Sequence, residues 1–196
     1  MSELLETFKD QPVLAFASAA DWRAWLDRHH AESSGFYMRL YKKGSGMPTV
    51  TYAEALDEAL CYGWIDAVKN SYDAESWLQK FTPRKARSKW SKVNREHVAR
   101  LIEAGKMQPA GLAAIEEAKR NGQWEAAYDS PANMAVPEDL QAMLSAHPEA
   151  KAFFEGLNKT HRYSFLYRIQ TAKKPETRAK WLAWTLDMLK RQETVH

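Results

Sequence analysis

One change of hydrophobic period, near Ser88, constrains this chain more than any other feature. Before it, apolar residues alternate in short runs: Gly35-Phe-Tyr-Met-Arg-Leu-Tyr-Lys42, Trp64-Ile-Asp-Ala-Val-Lys69, and a run through Trp77, Leu78 and Phe81. Such alternation marks half-buried strands. A turn near Asn70–Asp73 makes the last two runs an antiparallel hairpin, closed by Thr82-Pro83, where proline ends the ladder. Two helices interleave with the strands. Ser18-Ala-Ala-Asp21 caps one, with Trp22, Trp25 and Leu26 on its inner face; Thr51-Tyr-Ala-Glu54 is a capping box for the other, with Ala55, Leu56, Ala59 and Leu60 inward.

Beyond Ser88 the period is close to 3.6. Val93, Val98, Leu101 and Ile102 define a helix stopped by Gly105, and Leu112, Ile115 and Ala118 one that runs from Pro109 to Gly122. Residues 123–136 read as an irregular connection. Pro137, Pro148 and Pro175 then stand at first turns of helices whose stripes are Leu140/Met143/Leu144, Phe153/Phe154/Leu157, Phe165/Leu166/Ile169 and Trp181/Leu182/Thr185/Leu186/Leu189. The expected class is α+β: a small antiparallel sheet with packed helices over residues 1–125, then a helical bundle over residues 133–192.

A chain of 196 residues buries roughly 70% of its unfolded surface, so no staple is needed. The lone Cys61 forms no internal disulfide, and the first residues lack a basic region followed by an apolar run; both favour a soluble, cytoplasmic protein. No apolar run reaches the ~18 residues of a membrane span. Nothing in the sequence specifies an oligomeric state.

Net charge is +3, yet Ser76–Arg95 alone carries +7 and no carboxylate, which leaves the rest at −4. Its cations are Lys80, Arg84, Lys85, Arg87, Lys89, Lys92 and Arg95. Three readings stay open. The block is a solvated face; or it is a pocket for a small anion; or Trp77, Phe81 and Trp90 interleave with it as a nucleic-acid stacking platform. Against nucleic acid stand the acidic remainder and the absence of a finger, RNA-recognition or basic-zipper motif. In the anion reading, Arg84 clamps the ligand, Lys85 and Lys89 add charge, and Ser88, Ser91 and Asn94 add donors at a helix start near Ser88 or Ser91.

Trp64 and Asp66 share a strand face, so Asp66 is a candidate general base or an acid paired at the sheet's end, with Lys69 close by. Cys61 reads as buried filler. His29 and His30 diverge by ~100° on a helix, and the other histidines are scattered, so no metal site is expected. The loop Lys43-Gly-Ser-Gly-Met-Pro48 lacks the spacing of a phosphate loop. Arg162, Arg168, Lys173, Lys174, Arg178 and Lys180 read as the solvated face of the last helices.

The runs EALCYGWIDAVKN, FTPRKARSKWSKVN and GKMQPAGL resemble the YdeI / OmpD-associated family of small bacterial proteins, and Asn133–Leu189, with AKKPETRAKWLAWTLDML, resembles that family's C-terminal helical module. The resemblance implies a link to bacteriocin protection and envelope stress, and it carries no reaction, cofactor or catalytic residue. Ala67 stands where the family pattern leads one to expect glycine. The expected activity is binding of a small anionic or aromatic ligand by Trp64, Asp66, Lys69, Arg84, Lys85, Ser88, Lys89, Trp90, Ser91 and Asn94, with no cofactor. The alternatives are an acidic protein partner docked on the basic face, or an enzyme with Asp66 as base.

Overall fold

The computed structural model describes residues 3–130 and 133–195. They fall into two units, Met1–Ser88 with Asn94–Glu125 and Lys89–Val93 with Ala126–His196.

In the first unit a hairpin pairs β1 (Glu3–Phe8) with β2 (Gln11–Ala15). Lys9 and Asp10 link them with φ of +50° and +59°, the double positive-φ turn whose twist suits a two-residue hairpin. Helix α1 (Ala19–His29) then carries the chain to β3 (Phe36–Tyr41), which lies parallel to β2. A crossover helix is what a parallel neighbour requires. After α2 (Tyr52–Cys61), strands β4 (Trp64–Ser71) and β5 (Ser76–Pro83) form the expected hairpin. The sheet order is β1-β2-β3-β5-β4. The α+β class therefore holds. The sheet is mixed rather than wholly antiparallel, because the β2–α1–β3 crossover was invisible without β2.

Pairing settles the two faces of this sheet. Phe36 lies opposite Phe81, Met38 opposite Gln79 and Leu40 opposite Trp77, all on the face that meets α1. Trp22 and Trp25 pack there against Phe16, Phe36 and Trp64 at centroid distances of 4.9–6.2 Å. The indole N–H of Trp22 donates to the Ala55 carbonyl at 3.0 Å, so even this buried ring has its polar group satisfied. The opposite face holds a smaller cluster of Val13, Tyr37 and Leu78, with Phe8 and Tyr72 against it. Ser18 and Thr51 cap α1 and α2 as expected, the latter with a complete capping box.

Helix α3 (Lys92–Glu103) starts directly after Ser91, the later of the two expected starts, and α4 is Pro109–Arg120. Only Val98 and Leu101 of the α3 stripe are buried; Ile102 is exposed. In α4 the inner stripe is Gly111, Ile115 and Ala118, and Leu112 points outward. Gly111 displaces Leu112 from the inner face because only a residue without a side chain fits there.

The second unit contains α5 (Glu138–Ser145), α6 (Pro148–Gly156), α7 (Lys159–Gln170) and α8 (Pro175–Lys190). Pro148 and Pro175 occupy first turns, whereas Pro137 is one step earlier, at the N-cap. Leu140, Leu144, Ala150, Phe154, Phe165, Leu166, Ile169 and Leu189 are its buried core. Three arginines expected on a solvated face are instead structural. Arg178 grips Asp139 through two N–H groups at 2.7 and 2.9 Å, Arg168 lies 5.4–5.8 Å from the rings of Trp181 and Trp184, and Arg162 covers Phe154 at 5.3 Å. No helix among the described residues is long and apolar enough to cross a membrane.

Candidate functional site

Between β3 and α2 the chain makes a loop that stands off the sheet. Its first residue, Lys42, is tied to the β4–β5 turn: its N–H donates to Glu75 at 2.7 Å, and its ammonium donates to the Ala74 and Asp73 carbonyls at 2.8 and 3.3 Å. Its far end is fixed by buried Val50, whose N–H donates to Phe16 at 3.0 Å. Between these anchors Gly44 and Gly46 adopt φ of +95° and +75°, which only glycine accepts freely. The loop borders an open recess of about 580 Å³ against Leu40, Tyr52 and Trp77. Lys43, Ser45 and Met47 line its outer side. Among the described residues Lys43 has no ion pair, and Met47 exposes about half its surface.

Half-buried Trp77 is the wall of this recess and belongs to a group of four. The Lys69 ammonium lies 4.3 Å from its ring centroid, and the Tyr52 ring 6.0 Å away. The Tyr52 hydroxyl donates to Asp66 at 2.7 Å. Residues 66 and 69 would point to opposite faces of a regular strand. Here the register shifts between them: Asp66 lies opposite Phe81 and Lys69 opposite Gln79, two residues apart on one face. The extra residue is absorbed at Ala67–Val68, whose carbonyls accept from the Gln79 amide at 3.1 and 3.4 Å. This is a β-bulge, and it brings Lys69 onto the Trp77 face. Ala67 does not adopt positive φ, so the missing glycine causes no strain.

The other residues expected at the site make contacts of their own. Trp64 is buried in the aromatic core and donates its indole N–H to His30 at 3.1 Å. Arg84 follows β5, with its N–H on the Gly63 carbonyl at 2.9 Å. Lys85 and Ser88 close a turn on each other, Lys85 N–H to Ser88 Oγ at 2.9 Å and Ser88 N–H to Lys85 O at 2.8 Å. That turn keeps Ser88 out of α3, which begins after Ser91. Asn94, half-buried, lies within α3.

Lys89, Trp90 and Ser91 group with the second unit. There Ser91 bridges Tyr128, Trp90 is buried, and the Lys89 ammonium sits 4.8 Å over the Tyr167 ring. The Lys92 N–H at the opening of α3 donates to the Tyr128 carbonyl at 2.9 Å, and its ammonium pairs with Asp129 at 2.7 Å. That contact, first of all, holds the Asp129 carboxyl below its usual range. Of the remaining cations, Lys80 lies over Tyr37 on the sheet face opposite Trp77, and Arg95 caps Trp124. The opening turn of α3 thus already holds the protein's own carbonyl and carboxylate.

Two further groups complete the first unit's chemistry. Asp57 on α2 accepts from Arg100 at 2.7 and 2.8 Å and pairs with His97 Nδ1 at 2.7 Å. Cys61 is fully buried, and burial, with help from Glu58, pushes its thiol up to about 11, too high for a nucleophile. No group of three or more His, Cys, Asp or Glu among the described residues could hold a metal ion.

The fold and this cavity define an α+β unit with a ligand-sized recess, joined in one chain to a helical module. Residues 14–114 match the family described as Domain of unknown function (DUF8412), just over half of the chain, and the protein belongs to that family. Residues 133–192 match the family described as Bacteriocin-protection, YdeI or OmpD-Associated, so the relationship expected from the sequence holds for this stretch. The motif runs between residues 58 and 112 fall instead within the first match. No curated protein and no solved structure matches the chain.

Sequence reasoning weighed the loop only as a phosphate loop and Trp77 only as a nucleic-acid stacking residue, and did not bring the two together. Their signal was present: two glycines preceded by two lysines, before a capped helix.

Proposed function

We propose that the first unit is a receptor for a small aromatic anion. The ring lies against Trp77 and Tyr52 behind the 42–51 loop, and the negative group lies near Lys43 and Lys69. One observation supports this reading above the others: a half-buried tryptophan, already holding a lysine ammonium 4.3 Å from its ring, forms the wall of an open recess of about 580 Å³. Recesses of that size suit small ligands, and an aromatic wall with a few placed polar groups is their usual lining. Asp66 serves here to orient Tyr52. The protein acts in this reading as a soluble cytoplasmic binder, and bacteriocin protection, in the description of the family matched by residues 133–192, is the setting in which to look for a phenotype.

Calorimetric titration with aromatic carboxylates and aromatic phosphates tests it, with indole-3-acetate and neutral indole as the first pair. The charged probe should bind saturably and the neutral one at least about tenfold more weakly, a gap of about 1.4 kcal/mol. Trp77→Leu and Lys43→Ala should each weaken the charged probe. Binding unchanged in Trp77→Leu, or none across the series, would refute the reading.

A further inference from the structure

The second unit has a cavity of its own, about 400 Å³, whose floor is apolar: Val136, Leu144 and Phe154. Leu144 and Phe154 are core residues, so the cavity reaches the bundle's interior side chains. Its polar lining is Gln141, Lys151, Glu155 and Arg162.

Arg162 is the anomaly. Its two counterparts on α7 and α8 are accounted for: Arg178 has Asp139, and Arg168 donates to Ser164 O at 2.5 Å between two indoles. Arg162 gives one N–H to the Glu155 carbonyl at 2.7 Å and lays its guanidinium over Phe154. Its Nε–H is buried with no acceptor, and it has no carboxylate partner among the described residues. A buried donor left unmade is costly, and a guanidinium offers five donors in a planar fork made for a carboxylate. The second cation, Lys151, is only loosely held, 3.9 Å from Glu155 Oε1.

We infer that this cavity is a binding site for a small monocarboxylate with an apolar tail. The carboxylate is received by the Arg162 fork, with Lys151 at the rim, and the tail lies on Leu144 and Phe154. A modest turn of the guanidinium brings Nε–H onto the second carboxylate oxygen. An inorganic anion would forfeit the apolar floor, and an alcohol would forfeit the fork. The inference stands apart from the receptor reading of the first unit, because none of its residues is shared.

Calorimetry and ligand-observed NMR on the full chain test it, with hexanoate, hexanol and inorganic phosphate as probes. Hexanoate should bind saturably, and the other two at least about tenfold more weakly. Arg162→Gln should weaken hexanoate at least about tenfold; Arg162→Lys, which keeps the charge and stem over Phe154, should weaken it less and guards against a folding defect. Exposed Lys151→Gln should weaken it about threefold, and Trp77→Leu should leave it unchanged. The inference is overturned if native protein does not saturate with hexanoate, or if phosphate binds as well. It is equally overturned if Arg162→Lys and Lys151→Gln bind like the native chain, or if Trp77→Leu abolishes binding.

Discussion

Replacing Gly111 with alanine is expected to destabilise the first unit, although alanine is the better helix former. A Cβ at position 111 would lie 2.2 Å from the Cys61 carbonyl oxygen, 2.8 Å from its carbon and 2.8 Å from the Met107 methyl. The methyl ends a flexible side chain and can swing away. The Cys61 carbonyl cannot, since it ends α2 and accepts the Gln108 N–H at 3.0 Å. A carbon–oxygen contact relaxes near 3.3 Å, so α4 would have to retreat by about 1 Å. Overpacking costs about 1–3 kcal/mol, with rigid backbone at the upper end, while the helix gains about 1 kcal/mol from alanine. The net loss is about 2 kcal/mol, which at this size lowers the melting temperature by about 4–8 °C. Gly156→Ala is the matched control: its Cβ would meet nothing within 4 Å, so that variant should be neutral or slightly stabilised. Thermal unfolding by circular dichroism reads the sign, and amide exchange across α2 and α4 shows whether the loss falls in the first unit. A Gly111→Ala variant as stable as the native protein would mean that α4 does not rest on the Cys61 carbonyl.

Asp57 should make part of the acid limb of stability. Burial raises its pKa, but hydrogen bonds and charge from Arg100 and His97 outweigh that and leave it below the ordinary value of 3.8. A carboxyl depressed on folding stabilises above its unfolded value and loses that contribution as pH falls through the folded one. Asp57→Asn should therefore flatten urea-midpoint profiles below about pH 4 and cost about 1 kcal/mol at neutral pH, screening included; an unchanged profile would refute the tie. The Cys61 thiol should resist a disulfide reagent in native buffer at mildly alkaline pH and react fully in denaturant. Rapid native labelling would contradict its burial.

Much of the fold was legible because its signals are local. The Ser18 cap, the Thr51–Glu54 box and the alternation in β3, β4 and β5 each specify a short segment by its own chemistry, and each reappears in place. The β1–β2 hairpin was not legible. Its turn residues, Lys9 and Asp10, are not the glycine or asparagine that such turns favour, and β2 contains Pro12, which argues against a strand. With β2 unseen, nothing announced the parallel pair. Leu112 failed for the opposite reason: it fits a helical stripe, but a stripe does not say where a neighbour's backbone comes too close for a side chain.

The site was harder to read because neighbourhood along a chain is a poor guide to neighbourhood in space. Seven cations within twenty residues suggested one anion receptor, yet a strand, a turn and a helix start lie among them, and several already have partners: Lys80 lies over Tyr37, Lys92 pairs with Asp129 and Arg95 lies over Trp124. Strand parity alone separates Lys80 from Trp77. The converse holds for Asp66 and Lys69, which parity would separate and a single bulge unites. That bulge rests on one buried glutamine, Gln79, whose amide holds the two carbonyls of the irregular stretch. Such an exception leaves almost no periodic trace. Arg162 makes the same point in the helical unit, where its charge resembled that of Arg168 and Arg178 and only a buried Nε–H without an acceptor set it apart. Both candidate sites thus arise where a local rule is broken, which is where a reading built on regular patterns has least purchase.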